Sequence, residues 1–429
     1  MFHTAQATDY IDMILDLEAL VANSHVDTLA INVAGTGWAV GDLFDINGGT
    51  TVLGLNATGE ILAEAGGIPS SIRIFNGGAY TVNPGVAATT SAILPATGID
   101  LTVDTTILAT GWSVDRAGLI SGGPERELIL RGIGSGSDEI FLGFRTNRDT
   151  PSGTFLWDMM GATGFDNGEV FENQPGSSKA NNLTDSLFTP LNNGIIDYFF
   201  VIDGFHIKGV FKSGSTYTNL YVGFINTFAT PAEFPYPLLV MGCETLGTVP
   251  FNTSTIAMSG MSDPISNGVN RAGPGALREV DGNWYRFENS QATTTNRFAN
   301  SDRGIWPQGF AIADSDVDIL PIDEFTADDI SGQQNGAIFP LSGLGGPGTR
   351  LQPTIDSGGD IQFLWPTILL QIRPSQVILG ELIGVFPVYT IGIGAVSEDT
   401  MTDAAGDVYI IFQNCNRTDV WTHFAIKRT

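Results

Sequence analysis

The chain has 429 residues and a net charge of −27, with 42% hydrophobic and only 15% charged residues. That length exceeds what one core usually organises and points to two to four domains, while the apolar share excludes wholesale disorder. The charge argues against nucleic-acid and anionic-membrane binding, both of which need cations to displace counterions from phosphates.

Thr8–Val21, TDYIDMILDLEALV, reads as the one clear helix. Tyr10, Met13, Leu17 and Val21 fall on one face at helical spacing, with Ile14 and Leu20 beside them. Thr8 or Asp9 is suited to cap its start, and Asp9 and Asp12 suit the positive end of the dipole. A solitary helix of this length is marginal in water, so it must dock on its own chain or on a neighbour.

From Ile31 to Val114 three segments echo one another: GTGWAVGD, FNGGAYTVNP and ATGWSV. Each sets a Gly-rich turn before an aromatic, Trp38, Tyr80 or Trp112. Glycine supplies tight turns and the aromatic covers bared backbone, which predicts a small all-β module. Glu127 to about Met261 continues in strands, including ELILRGIG, EIFLGFRT and GTFLWDMM. DYFFVIDGFHIKGVFKSG predicts a hairpin turning at Asp203-Gly204.

FATPAEFPYPLLVMG, Phe228–Gly242, then carries three prolines, three aromatics and a single charge, Glu233. Proline cannot donate to a sheet ladder, so this stretch predicts a rigid loop leaving the sheet. Asn283–Asp360 is looser and acidic between Asp314 and Asp329, and Ile361–Thr429 returns to a dense β pattern.

Lysine occurs only at Lys179, Lys208, Lys212 and Lys427. The acid surplus reads as solubility, or as adaptation to a salty medium that screens self-repulsion. Cys243 and Cys415 are too few for a disulfide scaffold or a four-ligand zinc site, and their apolar surroundings predict buried free thiols. The first residues lack the basic start and cleavage site of a signal peptide, and no apolar run approaches about 20 residues. The expectation is a soluble product of the cytoplasm.

GTGWAVGDLFDINGG with FNGGAYTVNP resembles a Gly-rich β module of structural proteins in tailed bacteriophages. ELILRGIGSGSDEIFLGFRT, the Asp203-Gly204 hairpin and YVGFINTFATPAEFPYPLLVMG resemble the core of a family of phage virion proteins. The segment from GELIGVFPVYTIGIG to the C-terminal HFAIKRT is similar to that family's C-terminal part. The resemblance implies a multi-copy part of a phage particle, in the tail, neck or tail-tip apparatus. It implies no catalytic residues and no cofactor.

Other chemistry is weaker. GLGGPG, Gly343–Gly348, matches a dinucleotide fingerprint by letter, but Pro347 interrupts it and no helical pattern follows. The acids from Asp314 to Asp329 lack the glycine and distal glutamate of a calcium loop. His3, His25, His206 and His423 show no metal spacing, and His206 on an apolar strand reads as structural. No nucleophile elbow occurs. Trp284, Tyr285, Phe287 and Trp306 read as sheet packing or, alternatively, as a sugar platform. Acids are too many for paired carboxylates to be singled out for glycoside cleavage.

The sequence therefore predicts a mainly β protein of β-sandwich or β-barrel-like modules with one N-terminal helix. The expected parts are a docking helix over 1–30, a Gly-rich β module over 31–115, a central β domain over 120–300 and a C-terminal β region over 301–429. The expected function is non-enzymatic virion assembly, with no metal or cofactor, by contact with copies of itself and other virion proteins. The anchors expected to meet those neighbours are Ile11, Ile14, Leu17, Phe234, Tyr236 and Pro237. Nucleic acid and membrane insertion are not expected. The alternative is a receptor-binding tail protein recognising a host glycan or protein, and after it a tail glycan hydrolase.

Overall fold

The computed structural model describes residues 1–7, 10–119, 126–134, 139–149, 154–178, 187–191, 195–214, 216–242, 275–278, 280, 282–287, 303–307, 361–364, 367–371, 377–391, 397–403, 405, 407–413 and 423–428. These residues are mainly β, in antiparallel sheets, with one α-helix, Tyr10–Ala22.

Ile196–Ile202 explains the architecture. Its sequence, IDYFFVI, is apolar almost throughout, because both of its faces are covered. Ile196, Tyr198, Phe200 and Ile202 enter one core, and Val201 enters another with Phe199 packed against it. The strand belongs to a seven-stranded central sheet in the spatial order Phe2–Ala7, Ile196–Ile202, His206–Ser213, Thr216–Phe224, Leu238–Gly242, Gly275–Arg278, Trp284–Phe287. The predicted hairpin is present: Ile202 pairs with Ile207, and Asp203 Oδ1 accepts from the amides of Phe205 and His206 at 2.9 and 3.0 Å.

One face of this sheet packs on a five-stranded sheet formed by Ser113–Leu119, Arg126–Ile133, Glu139–Asp149, Thr154–Ala162 and Leu187–Leu191. Leu128, Leu130, Leu142 and Phe144 meet Phe200, Phe211 and Leu220 there. The opposite face packs on a C-terminal sheet of Ile361–Leu364, Val385–Ile391, His423–Lys427, Val408–Gln413 and Thr400–Thr402. Val385, Phe412, Phe424 and Ile426 meet Val210, Tyr221 and Leu239 in that layer. Three sheets are thus stacked, with the most apolar one in the middle. A small four-stranded sheet joins Asn226–Thr227, Val377–Glu381, Thr367–Gln371 and Arg303–Pro307.

The Gly-rich module is an eight-stranded sheet running from Ser24–Thr36 to Ile99–Ala109 with its own core, including Val26, Trp38, Phe44, Ile61, Tyr80 and Val103. The aromatics cover backbone as the sequence suggests, across the fold. A Cβ built on Gly98 would sit 1.9 Å from the Trp38 ring, and one on Gly132 would sit 2.3 Å from Trp112. Gly98→Ala is expected to cost about 1–3 kcal/mol by overpacking, read as a lower thermal midpoint, with Ala30→Ser on the exposed face as an unchanged control.

The helix docks on its own chain. Met13, Ile14, Leu17, Leu20 and Val21 form its buried stripe, and Asn23 Nδ2 donates to the Ala19 carbonyl at 2.7 Å at its end. Its start, with the expected caps Thr8 and Asp9, lies outside the described residues. The expected segments interleave in space. Phe2–Ala7, ahead of the helix, is an edge strand of the central sheet, and Ser113–Leu119 leaves the module to join the second layer.

Candidate functional site

The Pro-rich loop is built as a cover. Glu233 Oε2 accepts from Thr230 N and Oγ1 at 2.9 and 2.8 Å, while the amides of Glu233 and Phe234 both donate to the Thr230 carbonyl. Those Thr230 donors hold the Glu233 carboxyl below its usual range. The closed turn drops Phe234 into the core between the central and C-terminal sheets. Pro237 is buried, and its carbonyl accepts from Ile225 N at 3.1 Å. Tyr236 is half-buried, with the Arg278 guanidinium 4.9 Å from its ring centre.

Of the six expected anchors, the structure places four inside the chain: Ile14 and Leu17 under the helix, Phe234 and Pro237 under the loop. These four are corrected from surface anchors to core residues. Ile11 and Tyr236 are half-buried. The outward aromatic of the loop is Phe228, 66% exposed. Phe234→Ala is expected to lower stability by about 3–5 kcal/mol in urea unfolding, and Phe228→Ala to leave it within about 0.5 kcal/mol.

Apolar side chains do face outward elsewhere, on three loops at one end of the module. Trp38 gathers them: its amide donates to Gly67 O at 3.1 Å and its Nε1 to Ile99 O at 3.3 Å, while Gly41 N donates to Ile61 O at 2.8 Å. These loops and their flanks expose Val40, Leu62, Ile68, Leu94 and Ile99, Leu94 to 88%. Residues 36–42, 65–68 and 93–99 contain no lysine or arginine, and their one acid, Asp42, accepts from Ala39 N at 2.8 Å. This end is apolar with an acidic fringe, Asp42, Glu64 and the exposed Asp100, the kind of patch that a neighbour covers.

At the other end of the module, it meets the central and C-terminal sheets around a cleft of about 490 Å³. Arg428 binds the three parts together: its guanidinium lies 4.4 Å from the Phe2 ring centre and 4.7 Å from that of Phe75, and donates to the Phe75 carbonyl. Burial pushes Arg428 down to about 10. Lys427 pairs with Asp407 at 2.5 Å, and Arg73 with Glu60 at 2.7 Å.

Asp203, on the cleft wall, leads to a buried polar group. Its Oδ2 lies 2.8 Å from His206 Nε2, and the His206 ring stacks on Tyr221 at 5.4 Å. Burial would raise the Asp203 carboxyl, but His206 and Lys208 hold it below its usual range. Burial pushes His206 down to about 4 and Lys208 to about 8, and Lys208 Nζ donates to the Ile383 carbonyl at 3.0 Å. The group ties the hairpin to the C-terminal layer.

Trp284 is a core residue whose Nε1 donates to Gly176 O at 2.9 Å, so it is no part of an open sugar platform. The side chains of Tyr285, Phe287 and Trp306 lie outside the described residues, as do Cys243, Cys415, Asp314–Asp329 and Gly343–Gly348. Among the described residues no cluster of three metal-ligating side chains occurs, and no helix is long and apolar enough to cross a membrane. The cleft residues come from positions 1 to 428 and left no local signal, beyond two cations near the end of a chain poor in them. No protein-family model matches the chain, and no curated protein matches it either.

Proposed function

We propose that this chain is a multi-copy structural protein of a tailed-phage virion, in the tail, neck or tail-tip apparatus, and that it works by contact rather than catalysis. The observation that carries this reading is the apolar loop end of the module, Val40, Ile68, Leu94 and Ile99, presented on a stack of sheets with well-filled cores. Exposed apolar side chains gain about 25 cal/mol for each Å² that a neighbour covers. Its partners are other copies and other virion proteins, and its place is the particle.

Mass spectrometry and immunogold labelling of purified particles test the reading. Many copies per particle at a fixed position are expected, and absence from purified particles ends it. Val40→Asp with Leu94→Asp should leave the thermal midpoint within about 2 °C and block incorporation. The alternative, a receptor-binding tail protein for a host surface glycan, has the junction cleft in its favour.

A further inference from the structure

The cleft between module, central sheet and C-terminal sheet has the size of a ligand site, within the range of about 300–1,000 Å³. Its polar wall mixes signs. Asp27, Asp203 and Asp407 bring carboxylates, and Arg73, Lys427, Arg428 and the Met1 amino group bring basic groups, several of them already paired with one another. An anion entering it meets three carboxylates, and a cation meets three cationic side chains. Apolar surface from Val26, Ile74 and Leu108 lies between them.

Several of these groups retain hydrogen-bonding capacity. His25 lines the cleft at 8% exposure, and its buried Nδ1 has no hydrogen-bond partner. Asp27 is exposed at the rim and takes no hydrogen bond from the described residues. Arg73 uses Nε and Nη2 on Glu60, which leaves Nη1.

We propose that this cleft binds a neutral, polyhydroxylated ligand, a short oligosaccharide, whose hydroxyls donate to Asp27 and accept from Arg73. A hydroxyl serves both kinds of wall, and the C–H faces of a sugar ring match the apolar strip. The inference is independent of where in a particle the chain resides.

Isothermal titration of the full chain with maltotriose, cellotriose and N,N′-diacetylchitobiose tests it, with spermidine and a glucuronate trisaccharide as charged probes. Saturable binding of at least one neutral sugar is expected, with neither charged probe binding more tightly. Asp27→Ala should weaken binding at least about tenfold, through the loss of a charged hydrogen-bond acceptor. Leu108→Trp, at a 54% exposed position on the cleft wall, should block the site while leaving the thermal midpoint unchanged. The proposal is overturned if no neutral sugar binds, if a charged probe binds best, or if Leu108→Trp binds like the parent.

Discussion

Leu17→Asp is expected to unfold the stacked sheets, and Leu17→Ala to lose about 2–5 kcal/mol. Leu17 has no exposure, and the core it enters also holds residues of the central sheet and of the five-stranded sheet packed on it. A carboxylate there enters a core whose described residues are apolar, and an unpaired buried charge is among the few single changes that exceed about 4–5 kcal/mol. That is a large part of a domain's whole stability, typically about 5–15 kcal/mol. A helix that merely docked on another subunit would behave differently: the aspartate variant would keep its circular dichroism and lose only assembly. Near-UV circular dichroism and urea unfolding of the isolated chain separate the two. A folded aspartate variant would contradict the packing described here.

The helix was legible because its apolar spacing is regular and long enough to stand out from its surroundings. The Asp203-Gly204 hairpin was legible because a turn dipeptide sits between two apolar runs. The pairing of glycine with aromatic was legible in kind but not in partner. Trp38 follows Gly37 in the chain yet covers Gly98, about 60 positions away. The strand Phe2–Ala7 gave no signal at all. FHTAQA has little apolar content, and its partner lies near position 200.

The direction in which an apolar side chain points was the main thing the sequence withheld. Phe234 and Phe228 lie in one loop and are the same residue, and an apolar residue is equally suited to its own core or to a neighbour's. What decides is the Thr230–Glu233 turn, which aims one ring inward and leaves the other outside. The cleft was hidden for a related reason. A site assembled from three sheets has no spacing to read, and its histidine and acids look isolated along the chain.

Acidification from pH 7.5 to 5.0 is expected to destabilise the protein by several kcal/mol, through histidines rather than carboxylates. His3, His25 and His206 are buried, and burial is the first cause that pushes each from 6.5 down to about 4. Each ring is therefore neutral in the folded chain where the unfolded chain already binds a proton. With the unfolded state binding more protons, stability falls as pH drops from about 6.5 towards 4 and levels off below. At about 1.4 kcal/mol per unit, a fully buried ring costs at most about 2 kcal/mol by pH 5, and the Met1 amino group, pushed from 8.0 down to about 6 chiefly by burial, adds a loss of the same sign between pH 8 and 6. Asp203, held low, adds a loss of the same sign only once pH falls below its unfolded value of 3.8. Asp16, raised chiefly by burial and accepting from the Tyr198 hydroxyl, and Asp45, raised by burial, act in the opposite sense and offset part of this loss. The urea midpoint should drop across this window, and His206→Gln, which removes one of the buried rings, should reduce the slope. A midpoint constant from pH 7.5 to 5.0 would mean that the imidazoles reach water, and would count against the burial that joins the module to the sheets.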